Sequence, residues 1–343
     1  MVALFEWVYA FRKKGQVIIM QKNNLIKRIT GNKSFTLVAV WIAVLVVFTI
    51  INKNYISPGN IKNMFNTAFN VGMLSIGISC LLISGVIDLS TGYTAMVGGI
   101  IVAILLQANM PWAPALVITV VLGSIVGLVN SFFVNCLNFP PFISTLAVGT
   151  AINGVGLLIT KSQILPINNV SFWDLGSYSI FNVIPLPFLF TVILMAIYGF
   201  ILQKTRVGRR VYIVGGNHQA ARLAGINPKK ITTVLFINNS CIACLVGALV
   251  SARMHMGSPS SNIGSDLDAI TASVLGGVSF MGGAGGMFSA FVGVMLLTCF
   301  KNGLVLIGLG TFYQTIATGI LLITAMAIDH FRSADRKIRE PSA

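Results

Sequence analysis

The sequence predicts an all-α polytopic membrane protein with about ten transmembrane helices, and three observations carry that prediction. The 343 residues have a mean hydropathy of +0.87 and only 9% charged side chains, where soluble domains carry about a quarter. Apolar runs close to the roughly 20 residues that cross a hydrocarbon core recur along almost the whole chain. The 23 Lys and Arg, set against 8 Asp and Glu, gather in three clusters, as the positive-inside rule requires of segments sharing one compartment.

Taken in order, the spans are expected near residues 35–52, 67–87, 91–109, 113–136, 140–160, 184–203, 231–252, 267–282, 286–304 and 313–329. The run at 267–282 is short and interrupted by glycine, so it is expected to enter the bilayer without a clean crossing. An even count returns both ends to one side. The basic residues of segment 1–34, of loop 204–230 and of tail 330–343 then share the cytoplasmic face; removing one span before residue 204 would expel the most basic loop. Segment 1–34 lacks a single hydrophobic core followed by a small-residue cleavage site, so it is expected to remain in the mature protein. The opposite face receives residues 52–66, the stretch "KSQILPINNVSFWDLGSYSIF" from Lys161 and "MGSPSSNIGSD" from Met256. These are nearly neutral and rich in turn formers, as exterior loops are.

Small residues recur inside the spans, as in "GISCLLISG" from Gly77, "GSIVG" from Gly123, "GTAING" from Gly149 and "GGVSFMGGAGGMFSAFVG" from Gly276. Such positions let helix backbones approach closely in lipid. They serve either packing alone or packing that also lines a moving pathway. "DLSTGYTAMVGG" from Asp88 and "DLDAITASVLGG" from Asp266 share their first two and last two residues. The span count starts them at opposite faces, as an inverted repeat demands.

The scarce acidic residues are candidate functional positions. Asp88 lies at the edge of an apolar run, where an unprotected carboxylate is costly; it either caps and orders the following helix or serves gating. Asp266 and Asp268 open another short apolar segment and read as helix caps at the outer face. Asp174 reads as an ordinary loop residue. His218, His255 and His330 have no companion at metal-ligand spacing, and Cys80, Cys136, Cys241, Cys244 and Cys299 read as small packing residues. No GxxxxGK[ST], HExxH or serine nucleophile elbow occurs in the chain, so neither a phosphate-cradling loop nor an enzyme site is expected. No metal or cofactor is expected in this chain.

The loop at 204–230 holds seven basic and no acidic residues. Arg209 and Arg210 lie just beyond the membrane edge, and "VYIVGG" reads as a short apolar stretch ending in a turn. "NHQAARLAGI" reads as a short helix capped by Asn217 and running to Gly225. That helix suits docking to a cytoplasmic partner; the other reading is a basic surface loop facing lipid headgroups.

"SGVIDLSTG", "GRRVYIVGGNHQAARLAGI", "LDAITASVLGGVSFMGG" and the segment from Asn302 through Asp329 resemble the ribose-type sugar permeases of bacterial ABC importers, within the broader family that includes branched-chain amino acid permeases. The resemblance covers nearly all of the chain after about residue 35. It implies a type II importer architecture: a second permease copy, two cytoplasmic ATPase domains that bind ATP and Mg, and an extracytoplasmic sugar-binding protein. It implies that Arg209, Arg210, Gly215, Gly216, Asn217, Ala220, Arg222, Leu223 and Gly225 form the ATPase-coupling loop. The cargo implied is ribose, another monosaccharide, a polyol such as inositol, or a cyclic signalling molecule of similar size. Asp266 stands where relatives commonly carry glutamate, which keeps the charge and shortens its reach. An ion-gradient-driven carrier of a small polar solute is the competing expectation; it needs an ion site near the midplane, whereas the acids here cluster at span ends.

Overall fold

The structure, a computed structural model, describes residues 33–339. Nearly all of the basic segment 1–34 and the end of the tail therefore lie outside the described residues. Thirteen helices make up the described chain: α1 Lys33–Ile51, α2 Pro58–Ile83, α3 Thr91–Gln107, α4 Trp112–Ser131, α5 Pro141–Thr160, α6 Val170–Ser177, α7 Leu186–Lys204, α8 Arg206–Gly216, α9 His218–Leu223, α10 Pro228–Met254, α11 Ser265–Leu275, α12 Met287–Leu306 and α13 Thr311–Arg339. A π-helical turn, Phe132–Cys136, extends α4, and a 3-10 turn, Lys53–Ile56, links α1 to α2. The only strands among the described residues are two-residue bridges, β1 Leu165–Pro166 with β4 Met256–Gly257 and β2 Ser179–Ile180 with β3 Ile184–Pro185, both antiparallel.

Seven of these helices are long and apolar enough to cross a membrane by themselves. The apolar part of α1 and the whole of α3 are shorter. The run expected at 267–282 is not one helix: α11 ends at Leu275 and a glycine-rich loop with positive φ at Gly277, Gly282, Gly283 and Gly285 leads to α12. Those left-handed conformations favour glycine and stop the helix where the chain must bend. α2 also begins about three turns before its expected start, because Ser57 caps it and Pro58 occupies its first position, which carries the polar residues Asn60, Lys62 and Asn63 into the helix.

Burial divides the bundle into centre and periphery. The apolar window of α2 is 83% buried, whereas that of α13 is 11% buried; α2, α3, α10 and α12 supply most of the core. Close approach at the centre depends on glycine. A Cβ on Gly247 of α10 would lie 1.7 Å from the carbonyl oxygen of Ala95 in α3, and one on Gly98 would lie 2.6 Å from Cys244. Nothing larger than hydrogen fits between these two backbones.

The two ends of the bundle differ in charge. At the neutral end, Tyr55 Oη donates to the Cys299 carbonyl at 2.8 Å, Asn60 and Asn302 bond each other through their amides, and Gln107 Nε2 donates to Pro166 O at 2.8 Å. At the basic end lie α8, α9 and the carbonyl of Ile83.

Two helices start inside the bundle rather than at an end. After α2, the chain turns at Gly85, whose φ is +81°, and re-enters as a short irregular segment to Ser90 before α3 begins. After α10, His255 adopts a left-handed conformation, β4 forms, and residues 258–264 descend along α3 before α11 begins. The first turns of α3 and α11 meet there: a Cβ on Gly92 would lie 2.8 Å from Asn262 O and 2.9 Å from Asp266 Oδ1. From this meeting α3 runs to the neutral end. α11 runs the other way, past Ser79 of α2, which bonds Ser273 at 3.0 Å, towards the loop whose Gly283 N donates to Ile83 O. The two segments that share "DL" and "GG" therefore diverge in opposite directions from one point.

Candidate functional site

The centre of the molecule is built around Asp88, 1% exposed. Its Oδ1 accepts from the backbone N and the hydroxyl of Ser90, at 2.8 and 2.6 Å. Its Oδ2 accepts from Asn239 Nδ2 of α10 at 2.9 Å. Asn130 of α4 donates to Ser90 Oγ at 2.7 Å and approaches both Asp88 oxygens at 3.4–3.5 Å, while Asn239 also donates to Thr91 Oγ1 at 2.8 Å. The carboxyl group is thus surrounded by neutral donors, which meet the requirement that buried polar groups be hydrogen-bonded. Asp88 is not itself the cap of α3, since Ser90 holds that position; it orders the turn before α3 and ties it to α4 and α10. Both amides were overlooked in the sequence, although an asparagine within an apolar span is itself a signal of a polar partner.

Gly264, not an aspartate, holds the cap position of α11, and it has no side chain to accept a bond. The Asp266 side chain keeps a contact with the first-turn amides of Asp266 and Leu267, and Asp268 turns to tertiary partners. Asp266 is buried against Gly92 of α3. Asp268 forms an ion pair with Lys301 of α12 at 2.7 Å and accepts from Thr318 of α13 at 3.4 Å. Tertiary partners win over capping at Asp268 because α11 starts within the bundle, where α3, α12 and α13 surround its first turns. Asp174, expected in a loop, lies exposed within α6. His255 stacks on Trp173 with ring centroids 4.2 Å apart. Asp329 of α13 accepts from Ser279 Oγ and Phe280 N, at 3.0 and 2.9 Å, and so holds the loop that follows α11. All five cysteines are free thiols; Cys80, Cys244 and Cys299 are buried and Cys136 is exposed in the π-helical turn.

The residues at 204–230 form a helical hairpin at the basic end. Thr205 ends α7 and caps α8, its hydroxyl accepting from Gly208 N at 3.2 Å. A Cβ at Gly208 would lie 2.2 Å from Leu202 O, so this reversal needs glycine. "VYIVGG" belongs to α8, which continues to Gly216, rather than forming an apolar stretch ending in a turn. Val211 and Val214 face inward, while Arg209 and Arg210 are exposed on the other side. Asn217 caps α9 through Gln219 N and Ala220 N, as expected. α9 ends at Leu223, and the chain turns through Gly225, at φ +73°, with Ile226 N bonded to Ala221 O. Ala221 is the buried anchor of this helix; Ala220, Arg222 and Leu223 point outward, Leu223 being 91% exposed. Beside them Arg222, Gly225, Ile226, Asn227, Pro228 and Lys229 line a surface cleft of about 550 Å³.

A polytopic bundle with two helices that start at its centre, and a basic helical hairpin presented at one end, defines a membrane permease. The chain belongs to the family described as branched-chain amino acid transport system / permease component, whose model matches residues 60–326. Among curated proteins it is 34% identical to the probable ABC transporter permease protein YphD of Escherichia coli K12, over 84% of this chain and 86% of that one. It is 31% identical to the ribose import permease protein RbsC of Bacillus subtilis 168, over 84% and 90% of the two chains. It is also 31% identical to the D-allose transport system permease protein AlsC of Escherichia coli K12, over 81% and 86%. No solved structure matches the chain.

Proposed function

We propose that the chain is the permease subunit of a bacterial ABC importer and translocates a monosaccharide such as ribose, or a small polyol of similar size. The observation that carries this reading is its likeness, over more than four-fifths of its length, to permeases named for ribose and allose. The permease breaks no covalent bond. ATP and Mg are bound by a separate ABC subunit, and a sugar-binding protein delivers cargo at the neutral end. We assign the basic end to the cytoplasm and with it both termini, because the clustered Lys and Arg of 204–230 and of the two terminal segments share a sign that the positive-inside rule keeps on one side. The working unit is two permease copies with two ATPase domains.

Within this reading the coupling loop comprises Arg209, Arg210, Gly215, Gly216, Asn217, Ala220, Arg222, Leu223 and Gly225. Its outward face, with exposed Leu223 beside a basic cleft, offers an apolar contact with a charged rim, the anatomy of a protein–protein interface. Asp88, Asp266 and Asp268 hold the broken helices between which cargo passes.

The test is uptake of labelled D-ribose and D-allose into proteoliposomes holding the permease, its co-purified ATPase and the binding protein. Uptake that needs ATP inside and stops with an inactive ATPase supports the assignment. Uptake by the permease alone, driven by an imposed ion gradient, sinks it and selects the secondary carrier.

A further inference from the structure

We infer that Gly215 is a positioning residue through which the coupling hairpin grips both broken helices at once. The inference rests on the reading of 204–230 as the ATPase-coupling loop. Gly215 sits in the last turn of α8, where a Cβ would lie 1.8 Å from Ile83 O and 2.7 Å from Gly283 N. Those two atoms are already joined, since Gly283 N donates to Ile83 O at 2.8 Å. The end of α8 is therefore pressed against a hydrogen bond that ties the turn leading into α3 to the loop leaving α11. A Cβ on Gly282 would lie 2.7 Å from Gly215 O and 3.0 Å from Gly85 Cα, so Gly85, Gly215 and Gly282 form one three-way backbone contact. Tyr212, one turn earlier in α8, adds a bond from its hydroxyl to Gly285 O at 2.7 Å.

Contacts made by backbone alone have a mechanical property that side-chain contacts lack. A side chain absorbs a small displacement by changing rotamer, whereas close-packed main chain transmits it. A shift of α8 thus acts on Ile83–Gly85 and on Gly282–Gly285 together. The first segment leads to Asp88 and the start of α3, and the second is the continuation of α11. The neighbouring glycine provides an internal contrast, because a Cβ on Gly216 meets nothing within 4 Å and the residue is exposed. The backbone of Gly216 also lies close to Gly283, whose added Cβ would come within 2.9 Å of Gly216 Cα, but only at Gly215 would a side chain drive into the joined Ile83 O and Gly283 N.

The experiment is hydrogen exchange by mass spectrometry on the complete complex of permease and ATPase, free of nucleotide and trapped with ATP and vanadate. In the wild type, trapping is expected to shift exchange in residues 84–90 and 276–286 as well as in 206–226. Gly215→Ala is expected to keep the shift in 206–226 and to lose it in both other segments, with the ATPase still bound. Gly154→Ala in α5, where an added Cβ meets nothing within 4 Å, is expected to match the wild type. Tyr212→Phe, which alters no backbone contact, is expected to keep the shift in 84–90; where Gly215→Ala fails to fold, the wild-type exchange at 84–90 and 276–286 decides. The inference is overturned by a wild type silent at 84–90 and 276–286, or by a Gly215→Ala complex whose shifts are unchanged. Failure of the coupling-loop reading shows itself differently: Arg222→Glu would leave ATPase capture undiminished, or 206–226 would not respond to nucleotide.

Discussion

Asp268 and Lys301 face each other across α11 and α12, their carboxylate and ammonium 2.7 Å apart and each side chain about one-fifth exposed. Thr318 of α13 donates to the same carboxylate, so one acidic residue joins three helices. Lys301 is the one basic residue in α12, and the pair meets the cost of placing it there.

Removing one partner leaves the other largely buried and uncompensated. Asp268→Asn is expected to destabilise the permease by about 2 kcal/mol, the range for hydrogen bonds to charged groups. Thermal unfolding of detergent-solubilised protein measures the loss. A double-mutant cycle with Lys301→Met isolates the pair, and additive single effects would show that no coupling exists.

Asp88 makes a second, separate prediction. Asp88→Asn turns an acceptor into a donor facing the amides of Asn239 and Asn130, at a cost of about 1–3 kcal/mol for buried groups left unsatisfied. Exchanging the pair, Asp88→Asn with Asn239→Asp, restores a carboxylate opposite an amide and is expected to recover part of the loss. A double variant no more stable than the single one would show that the position, and not the pairing, matters.

The glycine packing predicts opposite outcomes for two similar changes. Gly247→Ala forces a methyl group into the carbonyl of Ala95 and is expected to cost about 1–3 kcal/mol or more. Gly154→Ala in α5 meets nothing within 4 Å and is expected to be neutral or to stabilise by up to about 1 kcal/mol through helix propensity. Yield of monodisperse protein and melting temperature report both.

At the hairpin, Leu223→Ser and Arg222→Glu are expected to weaken ATPase capture by about tenfold each, the order found for interface residues whose loss costs more than about 1 kcal/mol. The melting temperature of the isolated permease should stay within about 1 °C, because both side chains are exposed and surface changes of this kind cost little. A drop in melting temperature equal to the loss of capture would assign them to folding instead.

At the neutral end, Tyr55→Phe removes the bond to Cys299 O and is expected to cost about 1 kcal/mol. Burial holds the Tyr55 phenol above its ordinary pKa, so that loss should not vary between pH 6 and 9. A cost that disappears towards pH 9 would mean that the phenol ionises there.

What was legible in the sequence follows from what a linear pattern encodes. Apolar length located the seven helices long enough to cross a membrane, though not the expected ten spans, and Asn217 announced α9 because capping is a local bond to nearby amides. The beginning of α2 was hidden because Asn60, Lys62 and Asn63 lower hydropathy without breaking a helix. The extent of α8 was hidden because Gly215 and Gly216 read as a turn, whereas Gly215 is small to admit another backbone. The tertiary contacts of Asp266 and Asp268 are hidden for a related reason. Their partners Gly92 and Lys301 come from distant parts of the chain, and local acid placement resembles capping until the re-entrant path of 258–264 is known.

The brevity of α11 has a consequence for biogenesis. Eleven residues rise about 17 Å, little more than half of a hydrocarbon core, and its first turn carries two carboxylic acids. Such a segment offers the insertion machinery neither length nor hydrophobicity. It is therefore expected to enter the bilayer only once α12 supplies Lys301, and a nascent chain stalled before residue 287 is expected to hold residues 265–286 outside the lipid.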